Sequence, residues 1–338
     1  MLNNYKTLLF YLFLFAFSIN TTYSHSKKLK KISSSKNCAA TTALTTVIMP
    51  INSGFWNQNS TWPNGIKPTI NDDVVVPEGI NLIALGTCNA KSVTIKGKLS
   101  AVNWQEGGAW ANLTTNYIMV MGSNAVFEIG TKNQPYTSGR GFNLTLTGNN
   151  PDALIPNTSV SSKSIMVMAG ATLSLHGKPK VSWAKIDAKA EIGSTSITLN
   201  NPINWNVGDE IIITSNRNNP YEAEKRTITA LSQDFKTVFF TQPLVYPRTG
   251  TLKTYTNNDN KSWEVDTRAE VGLLSRNITI KGDESSVTNG FGGHIMIMNN
   301  SIGNASHIEL YQMGQKSKIG RYPWHWHLLG ESGNGQYL

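Results

Sequence analysis

The segment Arg321–Gly330 reads RYPWHWHLLG and places a guanidinium, a phenol, two imidazoles and two indoles within seven residues. In an extended backbone, the period of two puts His325 and His327 on one side and Trp324 and Trp326 on the other. Pro323 suits the start of such a strand better than its middle. Paired imidazoles act as acid and base, as ligand contacts or as metal ligands, or they hydrogen-bond inside a buried stack, and the spacing leaves these uses open. Arg321 adds a planar fork that matches a carboxylate bidentately, as gripping a uronate would require.

Hydrolysis of an acidic polymer needs two carboxyl groups flanking the bond. Glu309, Glu331 and Asp283 are the nearest in sequence to the His pair, with Glu309 the acid candidate, but no spacing marks two of them as partners. Elimination needs a neutralised substrate carboxylate and a base, for which Arg321 with His325 or His327 suffices. Arg268 and Glu270 share a strand face, so Arg268 either contacts an acidic sugar or pairs within the chain. Trp104 and Trp110 lie in a Gly- and Trp-rich loop over Trp104–Leu113, where indoles stack on sugar rings or pack. Asp72 and Asp73 follow a Pro- and Asn-rich turn and either tie down turn amides or bind a divalent cation such as calcium. A metal at His325 and His327 with an acidic neighbour is a further option, weakly signalled by His-x-His alone.

The elements that must position these residues are strands. From Ile51 onward helical periodicity is nearly absent, and short Val-, Ile- and Thr-rich runs alternate with Gly, Asn and Pro, which predicts an all-β chain. The phrase YIMVMGSNAVFEIG at Tyr117–Gly130 returns as SIMVMAGATLSLHG at Ser164–Gly177, and HIMIM at His294–Met298 repeats its opening. Such echoes arise when similar coils stack, which favours a β-solenoid over a sandwich or barrel. Residues 195–241 read as a small antiparallel insertion.

The chain opens with Lys6 and an apolar run over Leu8–Phe17, too short to span a bilayer. Residues 1–24 therefore read as a signal peptide, with an uncleaved anchor as the only membrane attachment, and residues 25–48 as a Lys- and Ser-rich linker. An exported chain permits one bridge between Cys38 and Cys88, its two cysteines. Six of the 30 Lys and Arg residues precede residue 40, so 24 face the 21 acidic residues and the body carries +3. That mild charge and the lack of a binding motif argue against nucleic acid. Oligomeric state leaves no signal.

The run FWNQNSTWPNGIKPTINDDVVVPEGINL at Phe55–Leu82, followed by SVTIKGKL at Ser92–Leu99, resembles the start of a G8 domain. The G8 domain is a module of fibrocystin-like proteins; DTRAEVGLLSRNITIKG at Asp266–Gly282, FGGHI at Phe291–Ile295, ELYQMGQ at Glu309–Gln315 and the His–Trp segment resemble the cell-migration-inducing hyaluronan-binding proteins and the transmembrane hyaluronidase. The resemblance implies a right-handed parallel β-helix with a G8 portion over 49–177 and continuing coils over 178–338. It also implies extracellular placement and an acidic polysaccharide partner of hyaluronan type, which the protein binds or depolymerises. The animal relatives carry a lectin-like domain after LHGKPKVSW at Leu175–Trp183 and further coils beyond the position of Leu338. The sequence is therefore expected to be a fragment or a minimal version.

Overall fold

A computed structural model describes residues 46–103, 108–298 and 300–338. The signal peptide, most of the linker, Cys38 and Trp104 lie outside the described residues. Alternation in short strands generates the fold: in Asp73–Val76 the side chains of Val74 and Val76 are buried, while Asp73 and Val75 are half-buried on the other side. One-sided strands need partners that hide the same side, and stacking parallel copies supplies them.

Three parallel sheets result. The first face stacks Val47–Ile48, Asp73–Val76, Ser92–Ile95, Tyr117–Met121, Ser164–Met168, His294–Ile297 and His325–Trp326. The second stacks Gly54–Phe55, Asn81–Ala84, Lys98–Ala101, Val126–Ile129, Thr172–His176 and Ile302–Ser306. The third stacks Gly86–Asn89, Ala111–Thr115, Phe142–Leu146, Ile278–Gly282 and Glu309–Tyr311. The chain visits the faces in that order, so the protein is a parallel β-helix. The ladder begins at Val47, which pairs with Asp73, inside the segment expected to be linker.

The echoes in the sequence are stacked coils. Tyr117 to Met121 lie in register with Ser164 to Met168, and Val126 to Ile129 with Thr172 to Leu175. Like side chains therefore form columns through the interior. One runs Val74, Val93, Ile118, Ile165, Ile295, and the next runs Val76, Ile95, Val120, Val167, Ile297 and ends on Trp326. Their aliphatic members are fully buried, each contributing roughly 1.5–3 kcal/mol of burial.

The antiparallel module is larger than the insertion expected at 195–241. After Thr172–His176 the chain leaves the second face and rejoins the helix on the third at Ile278–Gly282. Between them, Trp183–Lys185, Glu270–Leu273, Glu210–Ile213 and Glu224–Thr227 form one antiparallel sheet. The module has its own core around Leu199, Trp205, Ile211, Ile213, Val238 and Val271. Sequence alternation reveals its central strands, but Trp183–Lys185 and Glu270–Leu273 lie at its ends in sequence and are recruited by pairing. No helix among the described residues is long and apolar enough to cross a membrane.

Coil turns pack backbone on backbone. A Cβ placed on Gly97 would stand 2.2 Å from the Pro77 carbonyl oxygen and 2.4 Å from that of Ile80, so no side chain fits without moving the neighbouring coil. Gly97→Ala is expected to lower stability by about 2 kcal/mol or more through this overpacking. The midpoint of urea unfolding checks it, and an unchanged midpoint contradicts the stacking.

Candidate functional site

Residues alternating with the buried columns form outward columns on the first face. One runs Asp73, Ser92, Tyr117, Ser164, His294; another runs Val75, Thr94, Met119, Met166, Met296, His325. Met298 and His327 follow one step further along the last two coils, where the His327 amide donates to the Ile297 carbonyl at 2.7 Å. Loops cover part of this outer wall and leave a half-open cavity of about 320 Å³ lined by Ser161, His294, Met296, Met298, Arg321 and His327 among others. Arg321 also lines an open groove of about 710 Å³, together with Lys316, Lys318, Tyr322 and Pro323. Neither wall contains a carboxylate among the described residues.

The two indoles and two imidazoles of the His–Trp segment separate as the period of two requires. Trp324 and Trp326 sit on the core side with ring centroids 5.7 Å apart, and the Trp326 indole N–H donates to Gly303 O and Gln336 Oε1. His325 and His327 lie edge to face at 5.1 Å on the other side, with Tyr322 against His325 at 5.1 Å. The Gly320 carbonyl accepts from His325 Nδ1 at 2.7 Å, which fixes the proton on that nitrogen in the neutral ring and leaves Nε2 an acceptor.

Arg321 Nη1 donates to Gln315 Oε1 at 2.8 Å and to Pro151 O at 3.2 Å. A guanidinium only donates, so this contact fixes the Gln315 amide and turns its NH2 toward His294 Nδ1, 3.4 Å away. His294 Nδ1 therefore accepts, and the proton of the neutral ring sits on Nε2, a buried atom with no hydrogen-bond partner among the described residues. Burial, reinforced by Arg321 and His325, pulls the His294 imidazole down to about 4. Below this wall, fully buried Lys163 donates to Asp283 Oδ1 and Gly148 O, both at 2.9 Å, and tethers the covering loop.

Other expected site residues lie elsewhere. Glu309 is on the third face, paired in register with Thr279, so the fold separates it from the imidazoles; burial holds its carboxyl above the ordinary value. Asp283 is held by Lys163 and Ser285, and Glu331 accepts from Asn334. Arg268 belongs to the antiparallel module, where Asp266 and Asp187 each hold it at 3.0 Å, rather than Glu270. Asp72 caps the Thr69 turn, while Asp73 accepts from Ser92 on the next coil, so the two carboxylates serve different partners and do not form a shared cation site. Among the described residues no group of three or more His, Cys, Asp and Glu gathers as a metal site. Trp110 is half-buried and lines a separate cavity of about 360 Å³ beside Arg140. Cys88 is buried in the helix core, and burial pushes its thiol up to about 12.

Sequence reasoning missed His294 and Gln315. The signal was present in the echoes: HIMIM places a histidine where the stacked coils carry Ser92, Tyr117 and Ser164.

Parallel coils stacked on three faces under a loop-covered outer wall define a parallel β-helix protein. Residues 61–187 match the G8 domain and residues 290–338 match the CEMIP beta-helix, so the chain carries both. It is 30% identical over 280 residues to protein rliB of Dictyostelium discoideum, covering 81% of this chain and 23% of that protein. It is likewise 30% identical over 318 residues to fibrocystin-L of Mus musculus, covering 82% and 7% respectively. Communication mutant protein F of Dictyostelium discoideum is 28% identical over 284 residues, covering 82% and 24%. The chain spans less than a quarter of the length of each of these relatives.

The His294 ring gives a pH signature. Above its ordinary value of 6.5 it is neutral whether the chain is folded or unfolded; below that, the unfolded chain takes up the proton first. Its contribution is therefore fully present above 6.5 and is lost as pH falls through about 4, to a total of at most ~3 kcal/mol. Urea unfolding at pH 7 and pH 4.5 should show His294→Gln losing less stability across this window than the parent chain. Equal losses would contradict a neutral, buried His294.

Proposed function

We propose that this G8 and β-helix module binds an acidic, hyaluronan-like polysaccharide outside the cell, with Arg321 as the carboxylate contact on the terminal coils. The carrying observation is that Arg321 has no carboxylate partner among the described residues and lines both a half-open cavity and an open groove, whose described walls hold no acidic residue. An open groove with Lys316 and Lys318 along it suits a polymer passing through, and the half-open cavity beside it adds His327 as a polar contact for one sugar ring. The resemblance of the His–Trp segment to hyaluronan-binding proteins supports the same polymer class, and the apolar run at the N-terminus supports extracellular placement.

Binding is the stronger reading, because hydrolysis by two carboxyl groups lacks its residues at this wall. Elimination retains Arg321 to neutralise a uronate and His327 as the base. Size-defined hyaluronan, unsulfated chondroitin and a neutral glucan, each incubated with the protein, separate the readings. Binding predicts retention of the two acidic polymers, weakening with salt, and no shortening. Shortened chains with new ultraviolet absorbance assign elimination to the same site. Arg321→Gln should weaken retention about tenfold or more, with Arg321→Lys losing less, as expected for a charge-assisted fork. Equal retention of the neutral glucan, or an unaffected Arg321→Gln protein, would sink the proposal.

A further inference from the structure

A second cationic cavity, of about 240 Å³, lies where the antiparallel module joins the third face, and its wall includes Arg140, Lys178, Lys180, Asp209, Arg276 and Asn277. Its single carboxylate, Asp209, is held by Lys180 at 2.6 Å and accepts from the Asn206 amide at 2.7 Å. Among the described residues Arg140, Lys178 and Arg276 form no ion pair in the wall, since the Asp209 carboxylate pairs with Lys180. Arg276 Nη2 donates to Ser182 Oγ at 3.1 Å, whereas its Nη1 is buried with no partner among the described residues. Burial weighs against the charge on Arg276, while Asp209 in the wall and, after it, Glu309 outside the wall favour it without forming an ion pair with it. Arg140 and Lys178 are exposed on the rim.

The cavity is built rather than incidental. Asn277 begins the return of the chain to the helix; its Nδ2 donates to Tyr136 O at 2.7 Å and its Oδ1 accepts from the Lys178 amide at 2.8 Å. One amide thus fixes the Arg140 loop, the exit of the chain into the module and its re-entry around the same space. A buried guanidinium nitrogen without a partner costs free energy unless something accepts from it. The volume suits a compact group rather than a length of polymer.

We propose that this junction cavity is an oxyanion site that takes a sulfate or phosphate, either as the free ion or as an ester on a glycan, with Arg276 as the inner contact and Arg140 and Lys178 as the rim. It is separate from the Arg321 site and calls for a different anion.

Inorganic sulfate and phosphate, titrated into the full chain against chloride at matched ionic strength, should raise Tm in a saturable way. Arg276→Gln should weaken the apparent affinity about tenfold, as loss of one charge-assisted hydrogen bond would. Arg140→Gln, on the rim and exposed, should weaken it without disturbing the fold, which keeps the test valid if Arg276→Gln fails to fold. Arg321→Gln should respond like the parent chain, so failure here is distinguishable from failure of the terminal-coil proposal. In the Arg321→Gln background, retention of chondroitin sulfate but not unsulfated chondroitin assigns the ester; an ion response without such retention assigns the free ion. A Tm response no larger than that to chloride, or one unchanged in both Arg276→Gln and Arg140→Gln, would overturn the site.

Discussion

The structure depends on register between parallel coils. Because strand side chains alternate with a period of two, a slip of one residue would turn Val74, Ile118 and Ile295 outward and bring Asp73, Tyr117 and His294 into the interior. Matching apolar columns on the first face forbid that slip. The same constraint places Trp326 over Ile297 and therefore presents His325 and His327 on the outer wall. The candidate site is a consequence of core packing several coils away.

The outer wall is not simply exposed surface. His294 faces away from the helix core yet is fully buried, because the loop through Ser161 and the segment carrying Gln315 and Arg321 close over it. Lys163 and Asp283 secure that loop, with the ammonium 5.2 Å from the Phe291 ring. The result is a polar cavity outside an apolar cylinder, with a chain of contacts from Arg321 through Gln315 to His294 that assigns each proton. The antiparallel module builds its own core in the same way and carries a buried Glu224 between Arg226 and Arg248, balanced by backbone amides of Val245 and Tyr246.

Much of the fold could be read before any coordinates. The runs at Asp73–Val76, Ser92–Ile95 and Tyr117–Met121 coincide with strands of the first face, and the echoed phrases coincide with stacked coils. Second-face strands such as Lys98–Ala101 and third-face strands such as Gly86–Asn89 escaped notice because they hold too few large apolar side chains to show a period. The width of the antiparallel module was hidden because the pairings that complete it, of Glu270–Leu273 with Trp183–Lys185 and with Glu210–Ile213, join segments far apart in sequence.

For this chain, the sequence by itself determined periodicity: which side chains share a face, that coils repeat, and that two imidazoles stand opposite two indoles. Those properties follow from local backbone geometry, which has the same period wherever a strand occurs. The tertiary structure alone decided which faces meet. It separated Glu309 from the His pair, gave Arg268 to Asp266 and Asp187, and brought His294 beside Arg321 across 27 positions of sequence. It also gathered Arg140, Lys178 and Arg276 around one cavity. Such neighbours are set by coil length and by the point where the chain leaves and rejoins the helix, quantities that no local pattern encodes.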